Sequence, residues 1–126
     1  MLSEGREVVL RTKGNSMDPF IRGGEDSVML FNRGQESIQT GDIVLAHVTS
    51  DRYVLHRVID IEGNVLTLMG DGNLIGTEVC TRADVLGTAI KIIKPSGREI
   101  VPGKAVLWRK LKPARRYILA IYRRII

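Results

Sequence analysis

Cysteine is nearly absent from this chain. Cys80 is the only one in 126 residues, which excludes an internal disulfide. One thiol and two histidines, His47 and His56, leave too few ligands for a structural zinc site, so no metal and no cofactor are expected. Cys80 reads as a small half-buried apolar residue. Aromatics make up only 5% of the chain, and the apolar residues are largely Val, Ile and Leu, which suit strands. Long apolar runs are missing too. Residues 28–31 and 117–122 fall far short of the roughly 18 residues that a membrane-spanning helix needs. Glu4, Arg6, Glu7, Arg11 and Lys13 deny the first fifteen residues a signal-peptide apolar core. The expectation is a protein that is cytoplasmic or peripheral on the inner membrane surface.

Acidic residues are absent from the last 23 positions, which carry eight basic ones. Residues 1–103 hold 11 basic and 14 acidic side chains, so the net charge of +5 comes entirely from the tail. In the tail Leu107, Leu111, Ala114, Ile118, Ile121 and Ile125 recur at spacings of four and three, the period of one helical face. Pro113 predicts a kink or a fresh start. Residues 104–126 therefore read as a basic amphipathic C-terminal helix. Either it packs on the rest of the chain, or it lies on an anionic membrane surface with Trp108 and the tyrosines at the interface. No nucleic-acid motif accompanies the charge, and no nucleic-acid partner is expected.

Residues 1–103 read as one β-rich domain. Strands are expected at residues 6–13, 27–32, 43–49, 52–61, 65–69 and 84–94. Polar links at 50–51 and 62–64 suggest two hairpins. Many short, closely spaced strands, with helix only at the end, predict a mainly-β fold of coiled antiparallel sheets or a partly open barrel.

Gly14-Asn15-Ser16-Met17-Asp18-Pro19 follows the first strand. Pro19 fixes its own φ and pushes Asp18 out of the helical region, which sets Ser16 on a strand-to-turn corner. Ser16 there is either an ordinary turn serine or a presented nucleophile. A serine nucleophile needs a base within hydrogen-bond reach, and only His47 and His56 offer an imidazole. His47 has no motif around it and reads as a strand-face residue.

The ordered segments Ser16-Met-Asp-Pro19, Gly41-Asp-Ile-Val44, Leu55-His-Arg-Val58 and Gly70-Asp-Gly-Asn73 resemble the signal peptidase I and LexA-like serine peptidases over roughly residues 6–93. That resemblance implies a coiled mainly-β fold and a serine nucleophile at Ser16. Most bacterial members carry a lysine base where this chain has His56, whereas endoplasmic-reticulum and archaeal signal peptidases carry histidine. The resemblance thus implies a histidine-base subtype without the membrane anchor. It offers Asp71 and Glu78 as alternatives for the group that orients His56, and Arg57 and Asn73 as neighbours in the surrounding shell. One departure is Gly14, because signal peptidases place a serine oxyanion donor two residues before the nucleophile. The Ser16 backbone N–H and the Asn15 side chain are the remaining donors. The implied activity is endopeptidase cleavage by acyl transfer on a peptide bound in extended form, for instance along residues 7–12. The rival is a peptide- or membrane-binding module that kept the fold without the chemistry.

Overall fold

A computed structural model describes residues 5–49, 52–73, 76–104 and 118–122. Among these residues eight strands are seen: β1 (Glu7–Arg11), β2 (Ser27–Phe31), β3 (Ile43–Thr49), β4 (Arg52–Glu62), β5 (Val65–Met69), β6 (Glu78–Thr81), β7 (Val85–Ile93) and β8 (Glu99–Ile100). All pairings are antiparallel. The order across the sheet is β1-β2-β7-β3-β4-β5-β6, with β8 paired to the end of β7. The sheet does not close into a barrel, so β1 and β6 remain as edges. The mainly-β antiparallel fold expected from the strand pattern is the one observed.

Strand β3 explains how the sheet can curl around two cores. Its run Ile43-Val-Leu-Ala46 is apolar on both faces. Val44 and Ala46 pack with Val54, Val58, Leu66, Leu68 and Cys80 on one side. Ile43 packs with Met17, Ile21, Val28, Leu30, Ala89 and Ile92 on the other, with Leu45 against them. The long β7 bridges the two halves, pairing with β2 along residues 88–93 and with β3 along residues 85–88.

Three details differ from the sequence expectation. The first strand ends at Arg11, because the backbone N–H and hydroxyl of Thr12 both donate to the Asp26 carbonyl. The seventh begins at Val85, since Arg82–Asp84 form a 3₁₀ turn closed by a capping box between Thr81 and Asp84. Strands β6 and β8, four and two residues long, were not anticipated. Residues 118–122 are helical, with Leu119 buried and Ile121 exposed. Residues 105–117 and 123–126 of the expected helix lie outside the described residues. Among those residues no helix is long and apolar enough to cross a membrane.

Candidate active site

The Ser16 corner is held from two sides. Gly14 turns the chain with φ of +73°, a left-handed conformation that favours glycine. That conformation disfavours a serine side chain at this position. Beyond it, the Asp18 N–H donates to the Asn15 carbonyl at 3.1 Å, and the Ile21 N–H donates to the Met17 carbonyl at 3.0 Å. Met17 is buried with Ile21, Val28 and Leu30, which anchors the corner to the second core. From the other side, the loop Gly70–Asn73 grips the same backbone. The Gly72 N–H donates to the Ser16 carbonyl at 2.7 Å, and the Asp71 N–H points at Met17 Sδ at 3.4 Å. Gly70 lies so close that a Cβ there would collide with the Ser16 carbonyl oxygen. Asn73 Nδ2 sits against the same spot. The serine segment and the Gly-Asp-Gly-Asn segment, 54 residues apart, are therefore one packed unit.

His56 comes from the middle of β4. By strand alternation it shares a face with Val54 and Val58, both in the first core. It is 5% exposed. A buried imidazole needs a hydrogen-bond partner, and Glu78 supplies it: His56 Nδ1 and Glu78 Oε1 are 2.6 Å apart. Glu78 opens β6, which lies beyond β5, so its side chain reaches past the end of β5 to meet the ring. Arg52 lies 3.5 Å from the other Glu78 oxygen and is mostly solvent-exposed. With the Nδ1–H donated to Glu78, the Nε2 lone pair is left to accept a proton. A carboxylate at Nδ1 also stabilises the imidazolium that would form.

Asp71 has a different partner. Arg57, 1% exposed, donates Nε to Asp71 Oδ1 at 2.8 Å and Nη2 to Oδ2 at 2.7 Å. Its Nη1 donates to the carbonyls of Gly41 and Gly103, each at 2.7 Å. The Phe20 ring lies 5.3 Å from its Cζ, within cation–π range. Of the two carboxylates that the sequence offered to orient the base, Glu78 meets His56 and Asp71 meets Arg57. Asp71 instead holds the loop that grips Ser16.

Ser16, His56, Glu78 and Asn73 all line one cavity of about 650 Å³. The Ser16 Oγ and the His56 ring do not hydrogen-bond to one another in this structure. Such contacts often close only when substrate is bound. The Ser16 backbone N–H donates to no group among the described residues, and Asn15 is exposed beside it. The corner and the cavity hold a hydroxyl, an imidazole bonded to a carboxylate, and the Ser16 amide N–H. Together these are the parts required for acyl transfer.

Other residues weighed in the sequence fall elsewhere. His47 stacks on Tyr53, its cross-strand neighbour in β4, with ring centroids 4.9 Å apart. Cys80 is buried in the first core, and burial, followed by the Asp84 carboxylate, pushes its thiol up to about 11. That keeps it protonated and unreactive near neutral pH. No group of three metal-binding side chains occurs among the described residues. Arg52, and also Arg11 and Lys13, line the cavity and were not expected there from the sequence. The alternation Leu10-Arg-Thr-Lys13 just before the serine corner was the signal available for the last two.

The open antiparallel β-sheet thus carries a serine corner and a carboxylate-bonded histidine on one shared cavity. The Peptidase S24-like family profile matches residues 1–94, and the chain belongs to that family. Neither the curated proteins nor the solved structures gave a match.

Proposed function

We propose that the protein is a signal-peptidase-like serine endopeptidase of the histidine-base subtype. Ser16 Oγ attacks a peptide carbonyl while His56 Nε2 takes its proton. The Ser16 N–H, helped by Asn15, holds the oxyanion. His56 then returns the proton to the departing amine, and water hydrolyses the acyl-enzyme by the same route. Glu78 keeps the imidazole in the required tautomer. The observation that carries this reading is the 2.6 Å contact between His56 and Glu78 at the cavity that Ser16 also lines. Substrate would add to β1 as an extended strand. That edge is exposed along its whole length and runs into the serine corner. The basic tail would bring the domain to an anionic membrane surface. A serine-reactive acylating probe tests the assignment: it should label Ser16 in the intact chain and leave Ser16→Ala unlabelled.

A second reading, a non-catalytic peptide-binding module, is favoured by Gly14, which removes one oxyanion donor. Losing such a donor costs on the order of 100- to 1000-fold in rate. Peptide binding with no labelling of Ser16 would select this reading.

A further inference from the structure

The cleft at Ser16 carries a charge opposite to that of the domain around it. Residues 1–103 are net negative, yet Arg11, Lys13 and Arg52 all line the cleft, and among the described residues that line it Glu78 is the one carboxylate. The Glu78 charge is engaged by His56 and Arg52. Among the described residues Arg11 bonds to a neutral group, the Gly24 carbonyl, at 2.8 Å and makes no ion pair. Lys13 is exposed and makes no ion pair among the described residues. Beneath this cationic rim the walls are apolar, built from Leu10, Ile21, Leu45 and Leu55. Cations that merely solvated the surface would not gather in the concave part of an acidic domain. Walls of low polarity also strengthen the field of the charges above them.

We infer that the cleft selects peptides in which an apolar residue is followed or preceded, within about three positions, by aspartate or glutamate. The inference deepens the peptidase reading and rests on it for the peptide nature of the ligand. A strand added to β1 would place its side chains roughly 5 Å from those of Arg11 and its neighbours, near enough for opposite-charge pairing across strands. Each exposed pair contributes only a severalfold preference, so two or three acting together should give about tenfold.

The test uses the full chain carrying Ser16→Ala, so that binding is read without cleavage. Two fluorescent peptides share one apolar core and differ in their flanking residues, glutamate in one and lysine in the other. Their Kd values are measured by anisotropy at low and high salt. The glutamate peptide should bind about tenfold more tightly at low salt, with the gap narrowing as salt rises. Lys13→Glu should narrow or reverse the preference, while Arg98→Glu, the same charge change at an exposed site between β7 and β8, should preserve it. Equal binding of the two peptides, or equal effects of Lys13→Glu and Arg98→Glu, overturns the acidic preference alone. Binding of neither peptide overturns both readings. Tight, charge-selective binding by the Ser16→Ala chain, with a parent chain that a serine-reactive probe never acylates at Ser16, overturns the peptidase reading and leaves this one standing.

Discussion

Replacing Asp71 by asparagine separates a residue that holds the fold from one that serves the chemistry. The Arg57 guanidinium is wholly buried, and four of its N–H groups are directed at Asp71, Gly41 and Gly103. Asp71→Asn keeps the shape but removes the carboxylate that, among the described residues, is paired with that cation. Leaving one member of a buried pair uncompensated costs about 3–5 kcal/mol. Against a typical total of roughly 5–15 kcal/mol, that is a large share of the stability. For a domain near 100 residues, each kcal/mol moves Tm by about 4–8 °C, so a drop of at least 10 °C is expected. Glu78→Gln is the counterpart. Glutamine keeps an amide oxygen to which the His56 ring can donate, so stability should fall by less than about 1 kcal/mol. Its acylation rate should drop while Tm holds. Urea unfolding of the two variants, read beside acylation rates, checks both halves. An Asp71→Asn protein as stable as the parent would refute the assignment of the Arg57–Asp71 pair as the brace of the serine corner.

The same packing makes Gly70→Ala a probe of the corner itself: its Cβ meets the Ser16 carbonyl, so acylation should fall at least tenfold with substrate binding along β1 retained. Cys80 should resist alkylation at pH 8 until the chain is unfolded. Because the unfolded thiol ionises near 9.0 and the folded one at about 11, the unfolded state binds fewer protons between those values. Stability should therefore decline over that window, by up to about 2–3 kcal/mol from this group, and Cys80→Ala should flatten that part of the pH curve. Co-sedimentation with anionic vesicles should fall when salt is raised or when Arg115, Arg116, Arg123 and Arg124 become Glu. Unfolding of the β-domain on loss of the tail, with no vesicle binding by the intact chain, would favour a packing role.

Short apolar runs between polar turns made most of the sheet legible. Ile43–Thr49 and Val65–Met69 were bounded correctly because each is an apolar run of strand length flanked by polar turns. Glu78–Thr81 escaped notice because four residues with one charged and two β-branched side chains give no period to count. That strand carries Glu78 to His56 across 22 residues of sequence. Asp71 and Glu78 could not be told apart from sequence, because both lie near the same turn and only the sheet register assigns each a partner. Arg57 looked like an ordinary shell residue, and nothing in Leu55-His-Arg-Val58 reveals that its side chain points into the opposite core. The cationic lining was hidden for another reason: Arg52 stands 39 residues from Lys13 in the chain and joins it only when β4 folds beside the serine corner.

The central claim is that Ser16 and His56 act as one unit, and single-turnover acylation tests it most directly. Rates are measured for the parent, Ser16→Ala, His56→Ala and the double variant, with unfolding curves to show that each is folded. Each single substitution should abolish acyl-enzyme formation, and the double should be no worse than either, since members of one catalytic unit are strongly non-additive. Full acylation in His56→Ala, or cleavage that survives the loss of Ser16, would contradict the account.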